Sequence, residues 1–159
     1  MNSGIQRLDQ ALLDDVTKRA LTSERRRTNY KLHKSNDENP HRFLNAMVKG
    51  TYCQPHRHSQ PPKSESFLVL RGRVAVFVFD DTGEIIETQV LSTDGTLAVD
   101  IPPGIWHSIA PLSDTAVCYE VKPGPWDPKS DKEFAPWAPS EGDPTVPEYL
   151  EGLLRHTSL

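Results

Sequence analysis

The sequence predicts an all-β fold, a jelly roll or double-sheet barrel, preceded by a helix and followed by a proline- and aromatic-rich arm. Three observations predict it. About eight short apolar runs follow one another between residues 42 and 122 with Gly/Pro punctuation, the pattern of a sandwich or barrel rather than of a βαβ protein. Asp80-Asp-Thr-Gly83 supplies turn residues for a hairpin between two of those runs. In Arg73-Val-Ala-Val-Phe-Val-Phe79 both faces are apolar, as expected of a strand lying between an interior and a second covering layer.

At the start of the chain, Ser3-Gly-Ile-Gln6 has capping-box spacing. Ile5, Leu8, Leu12, Leu13, Val16 and Ala20 recur at helical intervals, which predicts an amphipathic helix over roughly residues 5–22. Its apolar stripe has to lie on the outside of the barrel or on a partner subunit. Residues 34–40, Lys-Ser-Asn-Asp-Glu-Asn-Pro, form a polar loop. Strands are expected near 42–48, 51–56, 65–71, 73–80, 84–92, 97–101, 106–110 and 115–122. Beyond residue 122, Pro123, Pro125, Pro128, Pro136, Pro139, Pro144 and Pro147 oppose both helix and central strand. Trp126, Phe134 and Trp137 lie among them, so this stretch is expected to be an ordered arm pinned by ring burial. A short helix is expected over 147–155. The chain therefore reads as one domain over 1–159, with a helix at about 5–22, a barrel at about 42–122 and an arm at 123–159.

The 159 residues suffice for a real core. A net charge of -4 and a pI near 5.8 argue against nucleic-acid or membrane-surface partners. Arg25-Arg26-Arg27 reads as a solvated helix end. No apolar run approaches the ~20 residues of a membrane span. Asp9, Asp14 and Asp15 interrupt any basic-then-apolar leader, so a cytoplasmic location is expected. Cys53 and Cys118 read as two reduced, buried thiols. Cys53 lies three residues before His56, near any pocket there, but on the wrong strand parity to ligate.

The informative feature is a set of four metal-ligating side chains. His56 and His58 stand at i and i+2, so on a strand both rings aim at one point. Glu65 opens the next apolar run, and His107 follows the turn Pro102-Pro-Gly-Ile-Trp. His33, His41 and His156 have nothing nearby in sequence to complete a site. Glycines frame the four: five residues separate Gly50 from His56, six separate Glu65 from Gly72, and six separate Gly95 from Pro102.

These residues resemble the two cupin motifs, Gly-x5-His-x-His-x3–4-Glu-x6-Gly and Gly-x5-Pro-x-Gly-x2-His followed by Asn. The chain departs from them in three ways. Six residues separate His58 from Glu65, six separate Gly95 from Pro102, and Pro111 stands where Asn would be. Pro61 and Pro62 make the longer first gap a loop insertion that leaves the ligands intact. A narrower likeness, to the WbuC-type cupin-fold metalloproteins found beside O-antigen gene clusters, covers most of the chain. It is carried by Arg42-Phe-Leu-Asn45, Pro55-His-Arg-His58, Ser66–Gly72, Phe79–Gly83, Ile101–His107, Glu120–Pro128 and Phe134–Pro139.

The resemblance implies a cupin double-stranded β-helix with a divalent transition metal (Fe, Mn, Ni, Co or Zn) held by His56, His58, Glu65 and His107. Donor softness alone does not choose among these ions. Tyr52, Phe67, Trp106, Lys63 and Arg42 are candidate pocket residues, although barrel core fits the three aromatics at least as well and solvated surface is the better reading for Lys63, Arg42 and Arg57. Three functions stay open. One is a metalloenzyme (isomerase, lyase or oxygenase) acting on a small polar metabolite, such as a sugar-nucleotide or O-antigen precursor. The others are a non-catalytic, metal-dependent sugar-binding module and a barrel whose tetrahedral zinc is purely structural. Exposed strand edges predict a homodimer.

Overall fold

A computed structural model describes residues 4–157. Its strands are β1 (Arg27–Lys31), β2 (His41–Val48), β3 (His56–Arg57), β4 (Glu65–Arg71), β5 (Arg73–Phe79), β6 (Ile85–Ser92), β7 (Ala98–Ile101), β8 (Trp106–Pro111), β9 (Thr115–Lys122) and β10 (Glu133–Phe134). Helices α1 (Gln10–Thr22) and α2 (Val146–Arg155) bracket them. The strands form two antiparallel five-stranded sheets, ordered β1-β2-β9-β4-β7 and β10-β3-β8-β5-β6. The jelly-roll expectation holds, as two facing sheets rather than one closed ring of strands.

Alternation along the strands builds the layers. In β2, Met47 joins Phe67, Val69, Val74, Val76, Leu91, Ile109 and Cys118 in the core between the sheets. The intervening Leu44, Ala46 and Val48 turn outward, where Leu13, Val16 and Ala20 of α1 cover them. Strand β5 is apolar on both faces for the reason its sequence suggests. Val74 and Val76 face the central core, while Ala75, Phe77 and Phe79 join a second cluster with Ala135, Ala138, Leu150 and Leu153 of the arm and α2. Phe77 is fully buried there, a burial of the kind worth ~2–3 kcal/mol for one large side chain.

Several boundaries differ from the sequence reading. Helix α1 starts at Gln10, because Asp9 caps it by accepting from the Leu12 amide at 3.0 Å. Ser3 of the expected capping box lies outside the described residues. The strand expected over 51–56 shrinks to His56–Arg57. Pro55 has no donor for a ladder, and the Cys53 carbonyl accepts instead from the Ser108 hydroxyl at 2.6 Å. Strands β1 and β10 were not anticipated. Arg25 and Arg27 do not end a helix: Arg27 opens β1, and both arginines pair with Glu141. In the arm, ring burial pins Trp137, whereas Trp126 and Phe134 stay exposed. The Tyr52 hydroxyl also holds the arm, by donating to the Pro139 carbonyl at 2.8 Å.

Candidate metal centre

Three strands and one turn deliver the site. His56 lies in β3 opposite His107 of β8, and Glu65 opens β4 opposite Ile101. His58 follows β3 at the start of the insertion. That insertion is a tight turn: Ser59 bridges Pro62, and the His58 carbonyl accepts from the amides of Lys63 and Gly104 at 3.4 and 3.1 Å. The Pro-x-Gly turn before β8 is thereby tied to the His-x-His segment. Gly104 adopts φ +82°, a left-handed conformation that suits glycine.

The four side chains are all buried, and one ligand atom from each lies within 4.8 Å of the others. Every imidazole is oriented from behind. His56 and His107 donate from Nδ1 to the carbonyls of Gln54 and Ile105, each at 2.9 Å, and His58 donates from Nδ1 to the Asp131 carbonyl. A ring that donates from Nδ1 keeps its Nε2 lone pair when neutral. The Nε2 atoms of His56 and His58 are buried with no hydrogen-bond partner. The His107 and His58 Nε2 atoms stand 2.9 and 3.4 Å from the same Glu65 carboxylate oxygen. Lone pairs converging on one another in a buried site need a cation between them, and backbone-braced imidazoles are how metal ligands are held. The donor set therefore fits a divalent first-row metal.

The electrostatics agree. Burial pushes the His56 pKa well below its ordinary value, helped by Lys132, so this ring stays neutral. Burial alone would raise Glu65, but the imidazoles of His107 and His58 set against it, with Glu120 and Lys122, outweigh that and keep the carboxyl ionised. Its neighbour Glu120 goes the other way, raised well above the usual range by burial and by the Glu65 charge.

A cavity of about 370 Å³ opens onto three of these four side chains, His56, Glu65 and His107. Of the sequence-predicted pocket residues, Phe67 lines it. The other four stand outside its lining. Tyr52 packs edge-on against Tyr149 beneath the arm. Trp106 lies under the Arg57 guanidinium at 4.2 Å and donates to Asp81. Arg42 reaches Glu38 at 3.5 Å. Lys63 is not solvated surface: it is 4% exposed, bonded to the Pro125 carbonyl at 2.6 Å and to Asp131 at 3.0 Å. Arg57 points away from the ligands, toward Glu133.

A family model described as "Domain of unknown function (DUF6016)" matches residues 8–91, more than half of the chain. The chain belongs to the DUF6016 family. Among solved structures, this DUF6016 chain is similar to the capsular polysaccharide assembling protein CapF of Staphylococcus aureus, at 28% identity and a TM-score of 0.59. That match covers 71% of this chain and 32% of CapF, so the chain spans about a third of CapF's length. TT1209 of Thermus thermophilus matches at 19% identity and TM-score 0.56, over 75% of this chain and 97% of that one. Rru_A2000 of Rhodospirillum rubrum, a cupin-2 domain, matches at 18% identity and TM-score 0.54, over 80% and 79%. The two-sheet fold is thus the one this cupin-2 domain has. No curated protein matches the chain.

Sequence reading missed much of the DUF6016 cavity. Asn45 of β2 and Glu120 and Lys122 of β9 line it, as do Arg27 and Lys31 of β1 and Lys132 of the arm. Period-two alternation was the available signal, since Asn45, Glu120 and Lys122 share the inward parity of Met47 and Cys118. His33 and His41 also line it, stacked 4.1 Å apart and each bonded to backbone. Cys53 lines it too, with its thiol pKa raised by burial.

Proposed function

We propose that this DUF6016 protein is a metal-dependent cupin that receives a small anionic metabolite at a divalent ion held by His56, His58, Glu65 and His107, and acts on it as a metalloenzyme. The observation that carries the reading is the pair of buried, partnerless Nε2 atoms of His56 and His58, facing the ionised Glu65 carboxylate. Four protein ligands leave open positions on a six-coordinate ion. A metal there supplies Lewis acidity, polarising a bound carbonyl or lowering the pKa of bound water toward ~7. The chain supplies the rest: backbone carbonyls fix the three rings, and the cavity walls orient the ligand.

The cavity's charge favours an anion. Arg25, Arg27, Lys31, Lys122 and Lys132 line it against the carboxylates of Glu65, Asp131 and Glu141, with Glu120 pushed toward its neutral form by burial, before any metal charge is added. Exposed Trp126 and Phe134 flank the opening, which suits stacking against the face of a sugar ring or base. With the CapF likeness and the resemblance to WbuC-type proteins, these features support a precursor of a surface polysaccharide, such as a sugar-nucleotide, as the metabolite. No helix of the described residues is long and apolar enough to cross a membrane.

Elemental analysis tests the metal. The wild type should hold about one divalent ion per chain, and His58→Ala and His107→Ala should each lose it. Stoichiometric metal retained in both variants refutes the site. Isothermal titration of the metal-loaded and the chelated protein with UDP-N-acetylglucosamine and related nucleotide sugars then tests the ligand class, with binding expected only to the loaded form. We also propose a homodimer formed through the sheet edges, where Ile86 and Leu97 are 66% and 52% exposed. Light scattering at micromolar concentration that returns a monomer refutes it.

A further inference from the structure

We propose that Asn45 reads a hydroxyl group on the ligand, so that the metabolite is a hydroxylated anion such as a hydroxy acid or sugar acid rather than a bare carboxylate or phosphate. The inference rests on the metal-centre reading above and deepens it.

The argument starts from position. Asn45 faces inward on β2, opposite Cys118 of β9. On its own strand the neighbours of the same parity are Phe43 and Met47, both buried and apolar. Packing alone would place another apolar side chain there, because an amide in such a wall costs stability unless its polar atoms are satisfied. Asn45 is 7% exposed and only half satisfied. Its Nδ2 donates to Glu120 Oε2 at 3.1 Å, while its Oδ1 is buried without a partner. The side chain lines the same cavity as His56, Glu65 and His107.

An orphaned carbonyl oxygen needs a donor. Carboxylate and fully ionised phosphate oxygens only accept, so an anion bound through those atoms alone leaves Asn45 Oδ1 bare. An ammonium group would donate, but the cation-rich lining and the metal oppose it. A hydroxyl meets both demands: it donates to Oδ1 and carries no charge into the site. Asn45 is thus a specificity residue, distinct from the four ligands.

The test uses the metal-loaded, full-length protein and three probes that differ by one hydroxyl each: propionate, lactate and glycerate. Dissociation constants come from isothermal titration calorimetry, with metal content measured on every sample. In the wild type the hydroxylated acids should bind more tightly than propionate by at least ~10-fold, the scale of one well-made hydrogen bond. Asn45→Leu should cut the glycerate-over-propionate ratio by ~10-fold while metal stays near one ion per chain. Asn45→Ala, measured alike, covers the case in which leucine's shape disturbs the fold. An undiminished ratio in both variants overturns the assignment, because the preference would then come from the metal alone. A loaded wild type that does not discriminate among the probes overturns it while leaving the metal centre standing. A wild type that holds no metal removes the reading beneath it as well.

Discussion

Asp131 is where the arm and the metal centre meet, and removing its carboxylate is the sharpest test of how the two depend on each other. The residue is 3% exposed. Its two carboxylate oxygens lie 3.0 Å from Lys63 Nζ and 2.9 Å from Lys122 Nζ, and both lysines are themselves buried. Its backbone carbonyl accepts from His58 Nδ1. Asp131→Ala would leave two buried ammonium groups facing one another with no anion between them. Removing one partner of a buried ion pair costs ~3–5 kcal/mol. Here Lys63 keeps the Pro125 carbonyl and Lys122 keeps Glu65 at 3.7 Å, which places the loss near the lower bound, at ~3 kcal/mol. For a chain of this size that lowers Tm by about 6–12 °C. The assay is thermal unfolding of the chelated protein, so that metal does not mask the effect. Lys63→Met should cost less, because Asp131 keeps Lys122. The double variant Asp131→Ala/Lys63→Met should then be more stable than additivity allows, since it buries one orphan charge rather than two. Metal affinity should fall ~10–100-fold in Asp131→Ala if the segment shifts, through the carbonyl that orients His58. A Tm within about 2 °C of wild type, or strict additivity in the double variant, refutes the reasoning.

Two glycines of the motif should respond very differently to alanine. At Gly72, φ is +74° and an added Cβ would sit 2.4 Å from the Thr115 carbonyl oxygen, so Gly72→Ala should lower stability well beyond the ~1–2 kcal/mol of left-handed strain alone. At Gly104 the φ is +82° but nothing lies within 4 Å, so Gly104→Ala should cost only that strain; equal losses in denaturant titration contradict this. Glu141 sets a pH dependence. Burial would raise its carboxyl, yet Arg27 and Arg25 hold it below the usual range. Its folded pKa therefore lies below the unfolded ~4.3, and its contribution to stability is present above that value and lost as pH falls through the folded pKa. Thermal unfolding should show wild type losing Tm faster on acidification than Glu141→Gln, and parallel curves would show that the arginine pair contributes nothing.

The four converging side chains were legible because their signal is local. His-x-His needs only strand alternation to converge, Glu65 follows the Pro61-Pro62 turn, and His107 follows the Pro-x-Gly turn. The layers were legible for the same reason, as β5 shows with its two apolar faces. What escaped was set by partners distant along the chain. Arg27 looked like solvated charge because Glu141, its counter-ion, lies 114 residues away. Lys63 looked like a loop lysine because the groups that satisfy it, Asp131 and the Pro125 carbonyl, belong to the arm. Asn45 was quoted only as part of a resemblance, since a lone polar residue in an apolar strand carries no meaning until the strand's neighbours are known. The same dependence gives the arm a role its composition did not suggest. Strand β10 extends the sheet that carries His56, pairing Phe134 with that residue, and Asp131 braces His58 from behind. The arm also contributes Trp126, Lys132, Phe134 and Glu141 to the cavity wall. The proline-rich segment is thus fixed by charge and backbone pairing as well as by the burial of Trp137, and in being fixed it completes both the histidine bracing and the mouth of the site.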